Sequence, residues 1–198
     1  MIKEDKGTTT SEKLIIVAVI VAIAGAGIFY LVENYGWLSS KNAEETGYET
    51  FYSQKYGFYL TYPASWALDN MERMGTIMVM LRENSSPTNP RAQARITAGS
   101  LGYPPLDNLK RDLDNMLENN ENYNLIGEEI EEITIKGVPG IDFSFINKGA
   151  QGGDTRGRMV ILQKDNFNYS LQTLAAENSY EKYESDLNLI VENFSLIE

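Results

Sequence analysis

The sequence predicts an α+β fold: an α/β/α sandwich with a mostly antiparallel sheet and two main helices, preceded by one N-terminal transmembrane helix. Three observations carry this expectation. Residues 14–32 run for nineteen positions without a charge, two later stretches repeat apolar residues at helical spacing, and several short runs read as strands, with period two plain at residues 56–62 and 76–82.

The run "LIIVAVIVAIAGAGIFYLV" at residues 14–32 holds twelve Leu, Ile, Val or Phe residues. As a helix at about 1.5 Å per residue it reaches roughly 28 Å, close to the hydrocarbon thickness of a bilayer. Lys3, Lys6 and Lys13 precede it, and only Lys41 lies in the fifteen residues that follow. The Lys/Arg bias therefore places residues 1–13 in the cytoplasm and the C-terminal domain outside, as a single-pass cell-membrane protein. The small residues of "AIAGAG" also fit a signal-peptidase site, so secretion after cleavage is the alternative. Residues 33–48 are polar and aperiodic and read as a juxtamembrane linker. Residues 49–198 read as one extracytoplasmic domain.

Within that domain, Tyr56, Phe58, Leu60 and Tyr62 share one parity and Pro63 stops the run, which predicts a strand with a buried aromatic face. Tyr59, of opposite parity, is the ring expected to be exposed. "GTIMVMLR" places Ile77, Val79 and Leu81 on one face and Met78 and Met80 on the other. "ARITAGSL", "EEITI", "GIDFSFIN", "RMVILQ" and "NYSLQTLA" complete the strand set, the last two as a hairpin around residues 164–166. Leu106, Leu109, Leu113, Met116 and Leu117 form one helical stripe after Pro104 and Pro105. Tyr180, Tyr183, Leu187, Ile190, Val191 and Phe194 form a second, with Asn178 and Glu181 spaced as a capping box.

Composition excludes several chemistries. The chain has no cysteine and no histidine, which removes disulfides, thiolate metal sites and the commonest general base. A net charge of -11 opposes nucleic acid as a partner. No cofactor, metal or catalytic residue is expected. Met74, Met78 and Met80 share strand parity and soft thioethers that suit Cu(I), yet with no His or Cys to support a site, core filling is the better reading. Glu128, Glu129, Glu131 and Glu132 fall on a strand, which spreads them to both faces instead of gathering them around Ca2+. The Gly-rich stretch at 149–158 lacks the spacing of a phosphate loop, and Arg156 and Arg158 at its end are the nearest anion contacts. Ser179 and Lys182 have Ser-x-x-Lys spacing without the companion motifs of acyl-transfer enzymes. Asn84, Asn168 and Asn193 head Asn-x-Ser sequons and are candidate glycosylation positions on an exported chain.

Three segments resemble PsbP-like domains. "YSQKYGFYLTYPASW" resembles their opening aromatic strand with Tyr-Pro and a following Trp, and "IKGVPGIDFSF" their Gly-x-Pro-Gly turn into a strand. Residues 158–197 resemble their closing hairpin and final helix, ending here at Phe194 and Ser195. The resemblance covers roughly residues 50–198 and points to the exported prokaryotic branch of a family that also includes a photosystem accessory protein and a Ran-binding import factor. It implies the α/β/α sandwich and a binding or accessory role. It does not carry a photosynthetic role, because ion retention by such proteins is credited partly to histidine, which this chain lacks. The function expected is a membrane-anchored binding module with a protein partner at the cell surface, through Tyr59, Arg156 or Arg158. The alternatives are an exported hydrolase working without histidine and a structural subunit of a surface assembly.

Overall fold

Alternating burial along the aromatic stretch is the starting point for the architecture. Phe58, Leu60 and Tyr62 are buried while Tyr59 and Thr61 between them are half-buried, the pattern of a strand with one covered face. The computed structural model describes residues 47–83, 91–100, 104–149, 153–164 and 167–197, with the backbone alone at residue 128. The apolar run at 14–32, nearly all of the linker expected at 33–48, and Asn84 lie outside the described residues. Among the described residues no helix is long and apolar enough to cross a membrane.

In chain order the elements are β1 (Tyr48–Ser53), β2 (Phe58–Pro63), β3 (Ala67–Arg73), β4 (Thr76–Arg82), β5 (Ala92–Gly99) and α1 (Leu106–Asn119). Then come β6 (Tyr123–Ile135), β7 (Val138–Asn147), β8 (Thr155–Lys164), β9 (Phe167–Ala176), α2 (Tyr180–Glu192) and β10 (Ser195–Leu196). The class is α+β with antiparallel pairing throughout. Where the sequence predicts one sheet there are two, of three strands (β1-β2-β10) and seven strands (β3-β4-β5-β9-β8-β7-β6). The break falls at Pro63, whose carbonyl accepts from Trp66 N at 2.9 Å and turns the chain out of β2 before β3 begins.

Two of these strands escape the periodicity test. In β3, "ALDNMER", polar residues dominate and the last four are exposed, so its strand character comes from pairing with β4 across the two-residue turn Met74-Gly75. Both turn residues have positive φ, 51° and 75°, the geometry of a type I′ hairpin. In β1, Glu49 lies opposite Tyr62 and accepts a hydrogen bond from its hydroxyl at 2.7 Å, so a carboxylate stands where an apolar residue was the signal to look for.

The seven-stranded sheet carries a helix on each face. Ile77, Val79 and Leu81 of β4, Ile96 of β5, Leu171 of β9 and Val160 and Leu162 of β8 join Tyr183, Leu187 and Ile190 of α2 in one core. Phe58, Leu60 and Tyr62 of β2 belong to the same core, and Ala92, Ala94 and Ala98 leave α2 room to approach β5. Residues of the opposite parity, Ile141, Phe143 and Phe145 of β7 with Met159 and Ile161 of β8, are buried on the other side, where α1 packs on β6 and β7. Leu109, Leu113 and Leu117 are the buried stripe of α1, and Gln163 donates to Pro104 O at 2.8 Å just before it. The helix α2 begins at Tyr180 with Ser179 in the N-cap position and no side-chain cap bond, so the Asn178/Glu181 capping box is not formed; a single 3-10 turn, Glu177–Ser179, leads into it instead.

The two sheets are tied at several points. Tyr169 of β9 donates to Tyr56 O at 3.0 Å beside β2, and Lys55, between β1 and β2, pairs with Glu72 of β3.

Candidate functional site

Because β2 buries one parity, Tyr59 must emerge on the outer face of the small sheet. There the register sets Tyr52 of β1 directly opposite it, and the rings stack with centroids 5.4 Å apart and planes 28° from parallel. Tyr52 is 67% exposed, so the pair forms an open aromatic step. Ser195 of β10 faces Tyr59 from the other side of β2.

The cation at this site comes from far along the chain. The hairpin between β6 and β7 turns through Lys136 and Gly137, with φ of 49° and 78°, and a lysine in the left-handed region carries a backbone cost that Asn or Gly would largely avoid. From there Lys136 sets its Nζ 5.6 Å from the Tyr59 ring centroid and donates to Leu196 O at 3.4 Å. Tyr52, Gln54, Tyr59, Lys136, Leu196 and Ile197 line an open cleft of about 530 Å3. The lining contains one cation, two aromatic rings and two aliphatic side chains, and no carboxylate.

The two tyrosines facing opposite ways from β2 differ electrostatically. The Ser195 hydroxyl and then the Lys136 ammonium hold the Tyr59 phenol below its ordinary pKa of 10.0. Burial, followed by the hydrogen bond to Glu49, pushes Tyr62 well above that value. The depressed Tyr59 pKa means its phenolate favours the folded state, a contribution present above pH 10 and lost as pH falls through the folded pKa. Tyr62 has the opposite sign: its contribution is complete below pH 10 and disappears as pH rises toward its folded pKa. In an absorbance titration of the phenolate band, Tyr59 is expected to ionise below Tyr62, and Lys136→Met to move the Tyr59 step upward. An unchanged first step in that variant would show that Lys136 does not act on the ring.

Arg156 and Arg158 lie elsewhere. They share the parity of Val160 and Leu162 and therefore point to the α2 face. Arg158 holds Asp142 in a two-pronged pair, Nε to Oδ1 at 3.0 Å and Nη2 to Oδ2 at 2.6 Å, and these bonds raise its pKa. Arg156 lies over the Tyr180 ring, its guanidinium carbon 4.3 Å from the centroid. Both guanidiniums are engaged in holding α2 and β7 to β8. Of the three interaction candidates, Tyr59 alone lies in the cleft.

The remaining motifs are placed as follows. Met74 is 89% exposed at its turn and does not share the β4 face of Met78 and Met80. Glu131 and Glu132 sit opposite Asp142 and Ile141 and so point to opposite faces, and Glu132 pairs with Lys110 at 3.3 Å. Among the described residues no three His, Cys, Asp or Glu side chains gather as a metal site. Ser179 donates to Ala176 O at 3.2 Å, while Lys182 donates to the Tyr183 hydroxyl at 3.0 Å. Asn168 is half-buried in β9, and Asn193 is exposed after α2 with its amide donating to Leu189 O at 2.9 Å.

The profile of the PsbP-like protein family matches residues 14–196. The chain belongs to that family. The solution structure of cyanobacterial PsbP (CyanoP) from Synechocystis sp. PCC 6803 has the same fold: TM-score 0.54 at 10% identity, covering 80% of this chain and 97% of that one. LpqN of Mycobacterium tuberculosis, described as involved in cell envelope biogenesis, gives a TM-score of 0.49 at 13% identity, over 79% of this chain and 88% of its own. The Ran-binding protein Mog1p of Saccharomyces cerevisiae gives 0.43 at 7% identity, over 78% of this chain and 97% of its own. No curated protein sequence matches the chain.

Sequence reasoning misses Tyr52, whose strand has no clear pattern, and it misses Lys136. Lys136 stands 77 positions from Tyr59, so no local spacing links the two. The signal available is the turn itself: a Lys-Gly pair between two strands demands positive φ at the lysine, and an unfavourable residue at such a position invites a reason.

Proposed function

We propose that this PsbP-like chain is a membrane-anchored extracytoplasmic binding or accessory module that docks a protein partner on the outer face of its small sheet. The observation that carries the reading is the cleft beside Tyr52, Tyr59 and Lys136. The exposed Tyr52 stacked on the half-buried Tyr59 supplies aromatic contact area at low entropic cost, and a lysine aimed over the Tyr59 ring adds a directional charge. The residues lining the cleft include no Ser, Asp or Glu, which favours docking over Ser, Asp or Glu hydrolysis at this face.

Anchorage through residues 14–32 is part of the same proposal. Its support is the uncharged run, the Lys3, Lys6 and Lys13 flank, and a family match that begins at Leu14, the first residue of the run. With the N-terminus inside, the domain faces outward.

Site-specific photocrosslinking in intact cells tests the docking face. A photoreactive residue at Gln54, within the cleft, is expected to give a discrete protein adduct, and one at the exposed Asn115 on α1 is expected to give none. Equal adduct patterns from both positions, or none from Gln54, would reject the cleft as the docking face.

A further inference from the structure

Strand β4 alternates in composition as well as in burial. Ile77, Val79 and Leu81 point into the core, while Met78 and Met80 point to the opposite face. The register places Met71 of β3 directly opposite Met78. The three methionines thus occupy adjacent positions on one sheet face, at the far end from β6 and β7 where α1 packs. Met71 is 40% exposed and Met78 and Met80 are half-buried, so the group is open to solvent.

We propose that Met71, Met78 and Met80 bind a soft monovalent metal cation, Cu(I) by its chemistry. Directly opposed Cβ atoms in an antiparallel pair lie about 4.5–5.5 Å apart, and residues two apart on one strand about 6.8 Å. Two rotatable bonds place each methionine sulfur and a third turns its methyl aside, which lets thioethers at those spacings converge on one ion above the sheet. Thioether sulfur selects Cu(I) over harder ions. The chain has no cysteine or histidine, so its thioethers are its only soft donors.

Three charged side chains on this face have protein partners of their own. Asp69, opposite Met80, pairs with Arg82, and Arg95, opposite Met80 on β5, donates to Gln172 of β9 at 3.0 Å. The Arg95 guanidinium, on the same sheet face as Met80, disfavours a divalent ion more than a monovalent one, since the Coulomb energy scales with charge. The proposal is independent of the Tyr52–Tyr59 cleft.

The test is a competition titration of the full-length protein in detergent against a chromophoric Cu(I) chelator under ascorbate, repeated with Ag(I) as a redox-inert substitute. The wild type is expected to withdraw one equivalent of metal. Met71→Leu, Met78→Leu and Met80→Leu should each weaken binding about tenfold or more, while Met74→Leu at the neighbouring turn leaves it unchanged. Leucine keeps volume and hydrophobicity, so an unaltered melt shows that these variants are folded. The same exchange separates the metal site from an apolar protein-docking patch, which leucine would preserve. Failure of the wild type to compete, or full affinity retained by the triple leucine variant, would overturn the proposal.

Discussion

Replacing Phe58 by alanine is expected to lower the free energy of unfolding by about 3–5 kcal/mol, the loss for a buried aromatic together with the cavity it leaves. The side chain is fully buried, with the rings of Phe51, Phe194 and Tyr169 at centroid distances of 6.0, 5.7 and 6.4 Å. It therefore joins β1, β2 and β9 with the chain after α2, and no single neighbour can close the gap. Urea denaturation of the full-length protein measures the change. An unchanged midpoint accompanied by lost partner capture would mean that the aromatic strand binds a ligand instead of forming the core.

The inner face of β2 was legible because aromatics at strict period two, closed by a proline, have few other readings. The outer face was not. Tyr52 belongs to β1, in a segment whose inward residues include Glu49, and the rule that apolar residues point inward gives no strand there. The missed β3 follows the same logic: Asp69, Asn70, Glu72 and Arg73 have weak strand preference, and register with β4 overrides it. Arg156 and Arg158 show a different failure. Their nearness in sequence to a Gly-rich loop suggested exposure, although their shared parity with Val160 and Leu162 already pointed both guanidiniums toward α2. Lys136 depends on tertiary structure entirely, since only the folded hairpin brings β6 and β7 to the end of β10.

Leu109→Ala carries the second large expected effect, about 2–5 kcal/mol of destabilisation. Leu109 is fully buried and anchors the first turns of α1, which packs on β6 and β7. Its loss should be felt most on that face of the sheet. Hydrogen exchange is expected to accelerate in α1, β6 and β7 while β2 and α2 keep more of their protection. Uniform acceleration through both faces would show that the two cores unfold as one unit, and unchanged stability would contradict the packing of α1 on the sheet.

The central claim is that Tyr52, Tyr59 and Lys136 form a docking face on a scaffold that does not depend on them. The most direct measurement compares adduct yield from the photoreactive residue at Gln54 in two backgrounds: the wild-type sequence and a Tyr52→Ala, Tyr59→Ala, Lys136→Met variant, each with its thermal melt recorded. The account predicts that the variant keeps a cooperative melt and loses the partner adduct. A variant that still forms the adduct at the wild-type yield would contradict the claim.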